Sequence, residues 1–192
     1  VITKENSSLN MIEVDMLKLP DGGTKTYSEK DKEYGLLIIG GKCTVKGDGF
    51  EFTEIGKRKN AFDGAATCLY VPRNRKFTVT GVGDVTIAVC KSPAEKDFEP
   101  VLVKPEDVII KDMGKPGWRR QAHFILDERV KANLIYIGEA YVEGGGTRMM
   151  ALFNGDFMTD EEKAERIGPV RSSRHYFLDF ALENDAIYAH CG

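Results

Sequence analysis

Glu139 and Glu143 stand four residues apart in the run Gly-Glu-Ala-Tyr-Val-Glu that ends at Glu143. In an extended strand an even separation puts both on one face, where they could act as a paired acid and base or belong to a solvated sheet face. Imidazole chemistry is bounded by three histidines: His123, His175 and His190. Alternation in Gln-Ala-His-Phe-Ile-Leu puts His123 on the face opposite Ala122 and Phe124, as expected of a buried or rim histidine with a satisfied partner. His175 follows Ser-Ser-Arg at the opening of a strand-like run and reads as a ligand or a surface residue, and His190 stands in Ala-His-Cys-Gly. After Glu143 come Gly144, Gly145 and Gly146, an apolar run from Met149 to Phe153, and Asn154-Gly155-Asp156. No helix directly follows the glycines to turn its N-terminus toward a phosphate, so they read as a hairpin turn. The sequence contains no G-x-G-x-x-G opening a helix, no P-loop and no G-x-S-x-G elbow.

Strands must position these groups. Runs rich in β-branched and aromatic residues recur at Met11–Leu19, Gly35–Ile39, Lys42–Val45, Phe50–Ile55, Cys68–Val71, Lys76–Thr80 and Asp84–Cys90. Pro20 to Gly23, Gly40-Gly41, Gly47 to Gly49 and Gly81 to Asp84 read as the turns between them. The first half is therefore expected to be an antiparallel sandwich or barrel. Prolines at 93, 100 and 105 break the pattern, and a second strand set follows at Arg119–Leu126, Asn133–Val142 and Arg174–Ala181. One helix is expected, Thr159 to Arg166, where Thr159 and Glu162 have capping-box spacing and Gly168-Pro169 stops the run. The expected organisation is a β barrel over 1–95, a linker over 96–112 and a shortened β barrel over 113–192.

With 192 residues and 42% hydrophobic content, the chain can bury one ample core or two small ones. Its 27 basic and 30 acidic residues are interspersed and give a formal net charge of -3, which offers no basic face to nucleic acid. The apolar runs are strand-sized, short of the roughly 20 residues that cross a bilayer, and no charged-then-apolar segment opens the chain. A soluble, cytoplasmic protein without membrane contact is expected. Cys43, Cys68, Cys90 and Cys191 form no C-x-x-C pair, and the first three lie in apolar runs, which suits buried thiols.

The order of residues adds a resemblance. Phe52..Ile55-Gly56.Arg58...Phe62, Tyr70-Val71, Phe77.Val79, Ala88.Cys90.Ser92-Pro93, Lys104-Pro105-Glu106-Asp107 and Arg120..His123.Ile125-Leu126 together resemble the bacterial 5-deoxy-glucuronate isomerases of myo-inositol breakdown. The resemblance runs from near residue 20 to about Gly145. It implies an all-β, cupin-like double barrel (a bicupin), the second barrel carrying a divalent metal such as Zn or Mn, and aldose–ketose isomerisation of a small sugar acid. Where such proteins have Pro-Pro-His-x-His-Asp, an ungapped match puts Phe153 and Gly155 at the histidines and Asp156 at the Asp. Phe and Gly have no side-chain donor, so His175, Asp156 and His190 remain as candidate metal ligands and Glu143 and Asp156 as candidate catalytic carboxylates. If that set does not assemble, the alternative is a metal-free, non-catalytic cupin that binds a sugar acid or a partner chain. Exposed barrel edges also favour a homo-oligomer.

Overall fold

A computed structural model describes residues 12–113, 120–144, 147–154, 176–181 and 187–191. They contain thirteen β-strands, one short 3-10 turn at Pro105–Asp107 and no α-helix. None of their helices is long and apolar enough to cross a membrane. The expected helix at 159–166 lies outside the described residues. Two compact units divide the chain, Val1–Val108 with Val130–Asn133, and Ile109–Arg129 with Leu134–Gly192.

The first unit is a seven-stranded antiparallel sheet of β1 (Glu13–Leu19), β2 (Thr24–Tyr27), β3 (Lys32–Gly47), β4 (Phe50–Ile55), β5 (Thr67–Val71), β6 (Phe77–Pro93) and β7 (Val101–Val103). Its axis is the pairing of β3 with β6, from Lys32 opposite Pro93 to Gly47 opposite Phe77. On one face Tyr34, Leu36 and Ile38 pack with Val85, Ile87, Val89, Leu69, Val71, Phe77 and Val79 into a continuous core. On the other, Leu37, Cys68, Tyr70, Ala88 and Cys90 are buried too, which explains why these strands read as unbroken apolar runs. Burial pushes the Cys43 and Cys90 thiols up to about 12, so both remain protonated.

Two expected turns prove to be irregularities inside long strands. The β3–β6 register shifts around Gly40, yet both strands continue through it, and Gly81 to Asp84 lie within β6. Backbone approach makes glycine necessary at this point. Gly41 has φ +89°, and a Cβ there would lie 2.2 Å from the Asp84 carbonyl oxygen; one on Gly40 would lie 2.4 Å from that of Lys59. A kinked strand thus takes the place of the hairpin. Of residues 96–112, Val101–Val103 adds to the first sheet at β5, and Ile109 onward opens the second sheet.

The second unit is a six-stranded antiparallel meander: β8 (Ile109–Met113), β9 (Arg120–Leu126), β10 (Ile137–Gly144), β11 (Thr147–Asn154), β12 (Tyr176–Ala181) and β13 (Ile187–Cys191), each paired with the next. The glycine run closes the β10–β11 hairpin, with Gly144 opposite Thr147.

At one end of the first sheet's inner face the core gives way to charge. The Glu29 carboxylate accepts hydrogen bonds from Lys91 Nζ at 2.7 Å, Tyr34 Oη at 2.5 Å and Lys32 Nζ at 3.2 Å. Burial acts to raise its pKa, but these donors outweigh it and hold the carboxyl down, from 4.5 to about 2.

Two outcomes follow from this geometry. Gly41→Ala should cost roughly 2 kcal/mol or more, from positive φ and the backbone clash together, and thermal melting reads the loss. Glu29 has a depressed folded-state pKa, so its contribution is present above pH 4.5 and fades as pH falls toward about 2. The melting temperature of the parent should therefore fall more steeply across that window than that of Glu29→Gln. Parallel profiles would contradict the assignment.

Candidate active site

The buried polar groups of the second unit converge on β9 and β10. A regular continuation from Ile137 opposite Leu126 would set Glu139 against Phe124. Instead the register shifts between Ile137 and Gly138, so that Gly138 faces Phe124 and Glu139 faces His123. The extra residue on β9 is Ile125, which makes the shift a β-bulge of the kind that re-aims side chains. Tyr141 then lies opposite Gln121, and Gln121 opposite Asp112 on β8.

Glu139 is fully buried and His123 is 4% exposed. Tyr141 Oη donates to Glu139 Oε2 at 2.7 Å. The His123 ring lies 4.5 Å from that of Tyr141, tilted by 47°, and its Nε2 is 3.0 Å from Gln121 Oε1. Gln121 Nε2 in turn donates to Asp112 Oδ1 at 3.3 Å. With the Gln121 carbonyl as acceptor, the imidazole donates from Nε2. Beside this face the Asp127 carboxylate accepts from Arg129 Nε at 2.7 Å and from the Arg129 backbone N–H at 3.1 Å, which closes the turn after β9. Burial pushes the Tyr136 hydroxyl up to about 12, with the charges of Glu128 and Asp127 adding to it.

A buried carboxylate held by a phenol, beside an imidazole of fixed orientation, can take a proton from carbon or oxygen and return it. Where the two carboxylate candidates are concerned, alternation keeps Glu139 and Glu143 on one face of β10, with Glu143 at the register position of Arg148 on β11. His190 occupies β13 opposite Phe177, which is opposite Phe153, which is opposite Gly138. Its register position is therefore on the other face from Glu143. Asp156 and His175 lie outside the described residues. Among the described residues no three His, Cys, Asp or Glu side chains converge to hold a metal ion. Tyr141 and Gln121 were not singled out from sequence, although each stands two residues from a candidate, the spacing that shares a face.

Truncating His123 removes the ring packed on Tyr141 and the partner of Gln121. His123→Ala should lower stability by roughly 2 kcal/mol, seen as a lower melting temperature. An unchanged melting temperature would mean that the imidazole holds nothing in place.

Comparison with known proteins adds lineage to this geometry. A sequence profile of the KduI/IolB family matches residues 1–150, and one for the N-terminal domain of a protein family of unknown function (DUF3048) matches residues 130–192. The 5-deoxy-glucuronate isomerases of Bacillus subtilis strain 168 and Bacillus licheniformis are each 34% identical over 146 residues, covering 75% of this chain and 54% of theirs. The chain thus spans about half the length of the curated relatives it matches. Among solved structures, an IolB-like protein from Salmonella typhimurium LT2 superposes with a TM-score of 0.72 at 27% identity, over 76% of this chain and 56% of that one. A putative glyoxylate-induced protein from Pseudomonas aeruginosa shares the fold alone, with a TM-score of 0.53 at 11% identity over 69% and 49% of the two chains. The fold class is accordingly all-β and cupin-like, as the sequence led us to expect. Glu139 and His123 fall inside the residues matched by the first profile, whereas Asp156, His175 and His190 fall beyond them.

Proposed function

The chain belongs to the KduI/IolB family, and from that premise we propose that it is an aldose–ketose isomerase of myo-inositol catabolism acting on 5-deoxy-glucuronate. The observation that carries the reading is the buried Glu139 carboxylate, hydrogen-bonded by Tyr141 and set against His123 by the bulge. Isomerisation removes a proton from the carbon beside a carbonyl and returns one to the neighbouring carbon. One carboxylate can perform both transfers, with the Tyr141 hydroxyl holding it in place. Glu139 is assigned the proton transfer, with Glu143 and Asp156 as the further carboxylates of the proposal. The substrate is a small sugar acid, with no role for nucleic acid or membrane.

A divalent ion, Zn or Mn, belongs to the same proposal, held by Asp156, His175 and His190. When bound, such an ion would polarise the substrate carbonyl. Because the described residues alone do not furnish a set of ligands, the proton steps are assigned only to the chain's own groups. The second reading is a non-catalytic cupin that binds a sugar acid or a partner chain, and Phe153 and Gly155, standing where similar proteins have histidines, favour it.

Turnover of 5-deoxy-glucuronate by purified protein, with metal analysis on the same preparation, separates the two. The isomerase reading predicts conversion, about one divalent ion per chain, and a loss of at least about 100-fold in kcat for Glu139→Gln with KM little changed. Full activity in Glu139→Gln would remove Glu139 from the chemistry. A folded parent with neither metal nor turnover would leave the binding reading.

A further inference from the structure

A sugar acid brings a carboxylate, and the face of the second sheet that carries Glu139 is itself acidic. Residues directly opposite one another in an antiparallel pair share a face, so register puts Asp112, Gln121 and His123 with Glu139, Tyr141 and Glu143. On β11 the same face continues at Arg148, opposite Glu143, and at Met150, opposite Tyr141. Followed through β12 and β13, it holds no other Lys or Arg among the described strand residues. Arg120, opposite Val142, and Lys111, opposite Ala122, fall on the other face. Lys111 Nζ lies 5.3 Å from the centre of the Phe124 ring there.

Exposure along this face rises in one direction. In the row of Glu139 and His123 the first is fully buried and the second 4% exposed. One row on, Tyr141 is half-buried and Gln121 exposed, and Asp112 beside Gln121 is exposed too. Arg148 stands in the row after that, with Glu143. The face is therefore closed around the carboxylate assigned to proton transfer and open toward the arginine.

We propose that Arg148 anchors the carboxylate of the sugar acid and thereby sets its aldehyde end at Glu139. The assignment rests on the sugar-acid isomerase reading of the same face and deepens it. Asp112, Glu139 and Glu143 would repel an anion, and a guanidinium fork is the group that offsets this while matching a carboxylate with two parallel hydrogen bonds. Spacing suits the substrate as well. Four residues of strand separate the rows of Glu139 and Arg148 by roughly 13 Å, and in 5-deoxy-glucuronate the acid group stands at the far end of the chain from the aldehyde. The position opposite Glu143 also suits a cross-strand ion pair, worth about 1 kcal/mol or less. Arginine has donors enough to serve a second carboxylate beside the first.

Two measurements on the full chain test the anchor: kinetics with 5-deoxy-glucuronate, and isothermal titration with glucuronate and glucose, which needs no turnover. The parent should bind glucuronate at least about tenfold tighter than glucose, and Arg148→Gln should lose most of that preference. The same variant should raise KM at least about tenfold with kcat little changed, as loss of an interaction common to ground and transition states does. Arg148→Lys keeps the charge without the fork and should restore part of the preference. Glucuronate bound by the parent no tighter than glucose would overturn the proposal. So would a lower melting temperature in Arg148→Gln with its glucuronate preference intact, which would leave only an ion pair with Glu143. If Arg148→Gln does not fold, Arg148→Lys decides, and glucuronate binding equal to the parent's would overturn the anchor. Glucuronate binding that depends on Arg148 without turnover would sink the isomerase reading and leave the anchor standing; turnover with KM unchanged in Arg148→Gln would do the reverse.

Discussion

The pairing of β3 with β6 is the constraint on which the first unit depends. β1 and β2 attach to β6, β4 and β5 attach to β3, and β7 attaches to β5, so no other strand has a place without that ladder. Both strands are buried on both faces where Tyr34 to Ile38 lie against Ile87 to Cys90, and a slip of one residue would exchange Tyr34, Leu36 and Ile38 for Glu33, Gly35 and Leu37. Burying Glu33 correctly shows how firmly the register is held. Its Oε2 accepts from the Tyr70 hydroxyl at 2.9 Å and from the Asn133 backbone N–H at 2.8 Å. A slipped strand would strand that carboxylate against the apolar core, at a cost of several kcal/mol.

The second unit uses the same physics to a different end. One extra residue, Ile125, decides whether Glu139 meets an aromatic ring or an imidazole, and the bulge chooses the imidazole. Burial of Glu139 and His123 then limits their partners to groups that the register supplies: Tyr141 two residues along one strand and Gln121 two residues along the other. The chemistry attributed to the chain therefore rests on a defect in regular pairing.

Local pattern carried the fold class, and tertiary pairing carried the rest. Phe50–Ile55 is a strand with the bounds read from its β-branched and aromatic residues. Thr24–Tyr27 was missed because Thr-Lys-Thr-Tyr has a single apolar residue, and Val101–Val103 because three residues among prolines show no period. The glycines at 40–41 and 81–83 were read as turns, since nothing local distinguishes a turn from a bulge in a strand pinned on both sides. At the site, the shared face of Glu139 and Glu143 and the burial of His123 followed from alternation. Their meeting did not, because the opposition of Glu139 and His123 depends on a register between strands. The motifs around Arg58, Ser92-Pro93 and His123 were enough to find the family, while the proposed ligands Asp156, His175 and His190 lie beyond the residues that match it.

Proton NMR of 5-deoxy-glucuronate incubated with the protein in D2O tests the central claim most directly, since it follows the proton that Glu139 is said to carry. The account predicts decay of the aldehyde-derived signals and growth of a ketose carrying one solvent deuteron at the carbon that was the aldehyde. An unchanged sugar-acid spectrum beside a folded protein would contradict it.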